Sequence, residues 1–324
     1  MSTPLITVIG SLNIDVIGST ARIPSAGETI RAQSDLGSGG KGANSAVSCA
    51  RLSRRKDAVQ DGHVRVKMVG AVGEDLFGPG LIDDLKRSGI DTEDVAIKKG
   101  EKTGVALVLV ERNTGENRIL ISPNANDSLR PEDFMELKAP LPDLIVLQLE
   151  IPLEVVLQIL EAASTHGVEV LLNNSPCQKL LAHAYKAVTH LVVNESEAAI
   201  MTGNEGKDVN WLEDCPERRA LFGIGAKHIT VTLGGKGGCY GAPSDGIGHA
   251  FEAKKVNVVD TTAAGDTFIG AYAVAVSIDR RRDATSMLNN IAWASEAAAI
   301  TVQRAGAQAA IPWEDEVPPR PQLS

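Results

Sequence analysis

Nowhere in this 324-residue chain do about 18 apolar residues follow one another without a break, so no segment is expected to cross a membrane as a helix. No basic, apolar leader precedes Leu5-Ile-Thr-Val-Ile-Gly10, which argues against secretion and makes the cytosol the expected compartment, with the nucleus also open to it. The four cysteines, Cys49, Cys177, Cys215 and Cys239, have neither CxxC spacing nor histidine pairs nearby, so zinc and a disulfide framework are not indicated. Positive charge is short as well. Against 41 Asp and Glu stand 32 Lys and Arg, and the formal net charge of -9 opposes binding to nucleic-acid phosphates and acidic membranes. Two basic clusters, 51–56 and 280–282, fall at apparent helix ends, where cations complement the dipole, and read as solvated surface. Repeats and low-complexity tracts are missing, and the proline- and acid-rich stretch 312–324 reads as a loosely held end.

What is present is material for one large core: 43% of residues are hydrophobic. Short apolar runs recur at 5–9, 64–69, 144–149, 168–172, 191–193 and 229–233, separated by amphipathic segments such as 153–164. Runs of this kind are strands buried on both faces of a mostly parallel sheet, so the fold class is α/β, doubly wound, with helices on both faces. All 324 residues are expected to form this single core. Two stretches, 14–36 and 95–121, alternate apolar and polar residues instead, and Asn113-Thr-Gly-Glu116 has the composition of a hairpin turn. They are expected to form a small antiparallel lid over the ligand edge of the sheet, able to keep water from a reactive intermediate or to pair two subunits.

Two segments are dense in chemistry. Gly37-Ser-Gly-Gly-Lys-Gly-Ala-Asn44 precedes an apparent helix, 45–52, and places glycines where a backbone can approach a ligand closely. It fits GxGxxG as Gly37, Gly39 and Gly42, which keeps a dinucleotide-dependent oxidoreductase in play; a P-loop is excluded because neither Ser nor Thr follows Lys41. Val259-Asp-Thr-Thr-Ala-Ala-Gly-Asp-Thr-Phe268 leads into a buried helix from Ile269. Ala263, Ala264 and Gly265 would aim backbone N–H groups at an anion there, and Asp266 is either a helix cap or a general base accepting a hydroxyl proton. Asn13 and Asp15 share one face of a strand and suit vicinal hydroxyls, or else a turn. Glu150 sits at the carboxyl end of a core strand, where open α/β sheets bind ligands. Asn194-Glu-Ser-Glu197 opens a helix, and Thr232-Leu-Gly-Gly-Lys-Gly-Gly238 is a hairpin turn or a nucleotide loop.

Taken in order from about Val8 to Trp313, these segments resemble the ribokinase family of sugar and nucleoside kinases, on Gly39-Gly-Lys-Gly-Ala-Asn44, Asn194 to Glu197, and Asp260-Thr-Thr-Ala-Ala-Gly-Asp266. The resemblance implies ATP-dependent phosphorylation of D-ribose at its 5-hydroxyl, with fructokinase and adenosine kinase as alternatives within the family. It implies that Asn13, Asp15, Gly40, Lys41, Asn44 and Glu150 hold the sugar and that Asp266 is the base, beside an anion hole at Ala263, Ala264 and Gly265. ATP would be held by Asn194, Thr232, Leu233, Gly234, Gly235, Lys236, Gly237, Gly265 and Asp266. Hydrated Mg2+ would be placed by Glu197, and K+ would lie among Asp260, Thr262, Thr301, Arg304, Gly306 and Ala310, the last standing where serine is common. A homodimer is the implied assembly.

Overall fold

The computed structural model describes residues 3–113, 117–242 and 248–320. Its chain begins with β1 (Leu5–Ile9), β2 (Asn13–Thr20), β3 (Gln33–Gly39), α1 (Lys41–Arg51), β4 (Arg65–Gly73), α2 (Gly78–Arg87) and β5 (Asp91–Lys98). There follow β6 (Gly104–Glu111), β7 (Asn117–Ser122), β8 (Leu144–Leu147), α3 (Leu153–His166), β9 (Glu169–Asn173) and α4 (Ala182–Tyr185). The last third holds β10 (His190–Asn194), α5 (Glu195–Thr202), α6 (Pro216–Phe222), β11 (His228–Thr232), β12 (Gly238–Gly241), β13 (His249–Phe251), α7 (Ala264–Ile278) and α8 (Ala284–Thr301).

Nine strands form one sheet in the order β13-β12-β11-β10-β9-β8-β1-β4-β5, parallel except for the antiparallel edge strands β12 and β13. Strands β1 and β8 are buried at every residue because apolar layers cover both faces. One layer packs α1, α2, α7 and α8 over Val8, Met68 and Val146; the other packs α3 to α6 over Ile9, Ile145 and Val193. Helix α7 is apolar all round, as a helix enclosed between the sheet and α8 must be.

The second sheet has the order β3-β2-β6-β7. Its outer pairs are antiparallel, while β2 and β6 run parallel because each is the rising arm of a separate excursion from the large sheet. Only part of the stretch 95–121 belongs here. Its first residues complete β5, which pairs with β4 in the large sheet, since Val95 on this edge strand is drawn into the apolar layer of α1 and α2. The hairpin turn expected at 113–116 falls outside the described residues beyond Asn113.

Two surface readings need correction. Arg54 is buried, its guanidinium donating to the carbonyls of Val59, Val64 and Gly89, and Arg51 donates to the carbonyls of Gln308 and Ile311 while lying over the Trp313 ring. Arg282 likewise donates to Glu169 and to the Val276 carbonyl. These cations satisfy helix-end and loop carbonyls that would otherwise be buried unpaired. The described part of the tail, 312–320, is held rather than loose: Val317 is buried in the core, Trp293 Nε1 donates to the Pro318 carbonyl at 3.0 Å, and Arg320 covers the Trp293 ring. Among the described residues no helix is long and apolar enough to cross a membrane.

Candidate active site

At the carboxyl ends of the parallel strands the chain turns sharply, and three glycines make the turns possible. Gly40 has φ +88 and directly precedes α1; a Cβ there would come within 2.8 Å of Asn13 N and 2.9 Å of the Ser11 carbonyl. Side chains on Gly39 or Gly42 would run into the Asp15 carboxylate and the Gly10–Ser11 backbone respectively. The motif 37–44 is therefore the meeting point of β2, the β1 exit and α1, with Lys41 as the first residue of that helix. Gly37 and Gly39 lie on β3 of the small sheet, not in the turn after a core strand, which removes the dinucleotide fingerprint reading.

Around this point the carboxylates gather. Glu150 Oε2 accepts from Lys41 N at 3.0 Å and from Ser11 Oγ at 2.7 Å, and Ser11 Oγ in turn accepts from Gly42 N at 3.3 Å. Asn44, one turn into α1, donates through Nδ2 to Asp266 Oδ2 at 2.9 Å, which joins α1 to the first turn of α7 across 222 positions. Asn44 Oδ1 is buried with no partner, an acceptor waiting for a hydroxyl. Asp15 is buried, and its pKa is pushed up to about 7 by burial first and then by the nearby charges of Glu150 and Asp266. Burial also raises Asp266, opposed by the Lys41 ammonium and the Asn44 amide. Lys41 loses solvation as well, yet Asp266, Glu150 and Glu197 outweigh that loss and hold it charged.

Beside Asp266 the backbone is shaped for an anion. Ala263 has φ +59, a left-handed conformation unusual for alanine, and α7 starts at the next residue. Ala264 N is already committed to the Thr261 carbonyl at 3.3 Å; the N–H groups of Gly265 and Asp266 have no backbone partner among the described residues. A cavity of about 220 Å³ opens over this helix start, lined by Lys41, Asn194, Glu197, Ala263, Gly265 and Asp266. It adjoins a more apolar cavity of about 440 Å³, and Thr232, Thr261, Gly265 and Phe268 wall both. Gly234, Gly235, Gly237, Phe251, Val258 and Ala298 line the larger one, whereas Leu233 turns into the core and Lys236 pairs outward with Glu195. The 232–238 segment is thus both hairpin turn and cavity wall.

Asn194 and Glu197 cap α5 reciprocally: Asn194 Oδ1 accepts from Glu197 N at 2.9 Å and Glu197 Oε2 from Asn194 N at 2.8 Å. Among the described residues no group of three or more acids, histidines or cysteines is placed to hold a metal ion. Two acids, Glu197 and Asp266, line the smaller cavity at the helix start, a set that fits a divalent ion held mainly by phosphate and water, not one caged by protein. Asp260, whose carboxyl is held low by its hydrogen bonds despite partial burial, accepts from Thr262 N and Oγ1 and from Gly306 N, drawing the 260–262 and 304–310 loops together. Thr301 Oγ1 donates to Thr267 Oγ1 behind it, Arg304 points away to Glu316, and Ala310 is wholly buried. Of the implied cation set, these contacts join Asp260, Thr262 and Gly306 around one carboxylate.

Sequence reasoning gave no role to Ser11 or Asn126. Ser11 holds Glu150, while Asn126 Oδ1 accepts from Leu12 N at 2.9 Å and Nδ2 donates to Asn13 Oδ1 at 2.8 Å. It also passed over Lys255 and Val256 in the larger cavity, which no motif marks.

Comparison with known proteins matches residues 3–314 to the pfkB family of carbohydrate kinases. A ribokinase of Schizosaccharomyces pombe is 39% identical over 315 residues, covering 95% of this chain and 94% of its own. A deoxyribokinase of Salmonella typhi is 38% identical over 272 residues, 83% of this chain and 84% of that one. Among solved structures, an Arabidopsis thaliana ribokinase complexed with ribose and ATP superposes with a TM-score of 0.79 at 28% identity, covering 97% of both chains.

Proposed function

The chain belongs to the pfkB family of carbohydrate kinases, and on that premise we propose that it transfers the γ-phosphoryl group of ATP to the 5-hydroxyl of D-ribose, giving ribose 5-phosphate and ADP. The observation that carries this reading is the placement of Asp266 between two ligand environments: the buried polar group of Asn13, Asp15, Asn44 and Glu150, and the twin cavities that meet at Gly265. Three carboxylates, Glu150, Glu197 and Asp266, act on one ammonium, Lys41, and Asp15 lies near two of them, so the inner environment favours a neutral ligand rich in hydroxyl donors. A sugar satisfies it; a sugar phosphate meets repulsion, which favours product release.

In this reading the sugar is held by Asn13, Asp15, Asn44 and Glu150, with Gly40 and the Lys41 backbone allowing close approach. The adenosine part of ATP lies in the larger cavity along Thr232, Gly234, Gly235 and Gly237, and the triphosphate runs past Asn194 to the start of α7. Asp266 accepts the proton of the 5-hydroxyl as that oxygen bonds to the γ-phosphorus; the bond to the bridging oxygen breaks and its electrons leave with ADP. The free N–H groups of Gly265 and Asp266, in the turn set by Ala263 and Ala264, stabilise charge on the transferring group together with the Lys41 ammonium. Glu197 would help to hold hydrated Mg2+, which neutralises phosphate charge when bound. Carbonyls around Asp260, Thr262, Thr301, Arg304, Gly306 and Ala310 would hold K+, which firms the loop beneath the anion hole.

The test is a coupled ADP-release assay with MgATP, comparing ribose, 2-deoxyribose, fructose, adenosine and no sugar, in K+ and then in Na+. Ribose-selective release is expected, at least several-fold faster in K+. Release that favours another acceptor reassigns the substrate, and none with any acceptor overturns the kinase reading for this chain.

The small sheet serves, in the same proposal, as a lid on one core and as the contact of a homodimer in the cytosol. Register places Val16, Leu36, Leu107 and Leu120 side by side on the face opposite Asn13 and Asp15, and Leu36 and Leu120 are 64% and 63% exposed. Light scattering is expected to give twice the 34.1 kDa chain mass, and Leu107→Asp with Leu120→Asp to give the single-chain mass.

A further inference from the structure

The base of the small sheet is tied to the sugar environment by one carboxamide. Strand β7 leaves the small sheet at Ser122, and Asn124 (φ +50) turns the chain back toward the core while its Nδ2 donates to the Thr103 carbonyl at 2.9 Å. Thr103 is itself fixed: its N and Oγ1 both donate to Asp75, and its Oγ1 accepts from Gly73 N. Asn126 therefore arrives at a defined place, 1% exposed, against the first residues of β2. There it reads Leu12 as a paired strand would, accepting from Leu12 N at 2.9 Å and donating to its carbonyl at 3.2 Å, and it donates to Asn13 Oδ1 at 2.8 Å. Nothing larger than glycine fits across this junction at position 104, where an added Cβ would overlap both amides.

We propose that Asn126 is a positioning residue that fixes which end of the Asn13 carboxamide faces the sugar. A carboxamide has one acceptor end and one donor end. With Asn13 Oδ1 committed to Asn126, Asn13 presents Nδ2 to the ligand and so supplies a donor among acceptors, the Asp15 and Glu150 carboxylates and the free Asn44 Oδ1. A sugar hydroxyl that donates to one of these carboxylates then has a donor aimed at its own lone pair, which a ring of acceptors alone cannot offer. Because Asn126 also belongs to the segment that closes the small sheet, the orientation of Asn13 is bound to the seating of that sheet on the core. The inference rests on Asn13 being a sugar ligand.

The test is steady-state kinetics on Asn126→Asp, alone and combined with Asn13→Ala. The carboxylate retains the acceptor for Leu12 N but repels Asn13 Oδ1, reversing the Asn13 amide. A rise in the KM for ribose of about tenfold or more is expected, with kcat within about threefold and the KM for ATP unmoved. In the Asn13→Ala background, Asn126→Asp should add nothing further to the ribose KM. An equal rise in both backgrounds overturns the inference. Asn13→Ala with an unchanged ribose KM overturns instead the reading of Asn13 as a sugar ligand. Should Asn126→Asp not fold, the wild-type chain with 15N-labelled asparagine decides. Ribose should shift the side-chain NH2 resonances of Asn13 and leave those of Asn126 in place, and the reverse pattern would refute the assignment.

Discussion

Asp266→Asn lowers kcat by ~10²–10⁴-fold while leaving the folded protein as stable as its parent or more so. The loss follows from chemistry, since an amide cannot accept the hydroxyl proton as the oxygen attacks phosphorus. Stability follows from the surroundings. Asp266 is buried and its carboxyl is raised by that burial, so its ionised form is unfavourable there. The substituted amide keeps an acceptor for Asn44 Nδ2 and brings a donor within reach of the buried, unpartnered Asn44 Oδ1. Against this, Lys41 loses one of its three attractive carboxylates, but Glu150 and Glu197 remain. Single-turnover ADP formation and thermal unfolding, measured together, check both halves. Activity above a tenth of the parent value would remove Asp266 from the role of base, whatever the unfolding curves show.

Asp15→Asn weakens ribose binding by ~10²-fold and stabilises the ligand-free protein at pH 8. The carboxyl of Asp15 has an ordinary value of 3.8 and is pushed up to about 7 by burial and by Glu150 and Asp266. An acid that holds its proton more tightly when folded makes the native state the more protonated one between those two values. Unfolding free energy therefore falls as pH rises through that window, and the deficit is complete above pH 7, at most on the order of 4 kcal/mol. The variant lacks this term, so its unfolding temperature should exceed the parent's at pH 8 and converge on it toward pH 4. In the parent, the KM for ribose should fall as pH rises through about 7, because the ionised carboxylate is the better acceptor of sugar hydroxyls. Calorimetric ribose titrations at pH 6 and pH 8 check that sign, and tighter binding at pH 6 would contradict it. The protein in this view keeps a destabilising charge in place for its ligand.

The core was legible because its signal is local. Each buried strand, from β1 at Leu5–Ile9 to β11 at His228–Thr232, is a short apolar run that needs no partner to be seen. Gly39, Gly40 and Gly42 were legible for a similar reason: consecutive glycines announce close backbone approach, and the structure shows what approaches. Residues acting over long chain separations were not. Ser11 holds Glu150 from 139 positions away and Asn126 reaches Leu12 from 114, and no spacing rule links such pairs. Arg51 and Arg54 looked like solvated charge because composition cannot tell a helix-end cation facing water from one enclosed by the carbonyls of Gln308 and Gly89. The tail misled for the same reason, since its anchors Trp313 and Val317 are single residues among prolines and acids. The resemblance carried the whole 232–237 stretch over as nucleotide contacts, whereas the strand's alternation and an outward ion pair decide which of its side chains reach the cavity.

The grip of the chain's end on α1 sets an order of events during synthesis. Helix α1 begins with Lys41 and carries Asn44, but its last turn is closed by the carbonyls of Gln308 and Ile311 and by the Trp313 ring. Asn44 waits equally for Asp266. A ribosome that has released the first two hundred residues has therefore delivered Asn13, Asp15, Lys41, Asn44 and Glu150 without Asp266 or the 308–313 segment, to which α1 is bonded in the folded chain. A nascent chain of that length is expected neither to bind sugar nor to turn over nucleotide until the segment 308–313 has emerged and packed against a helix made near the beginning.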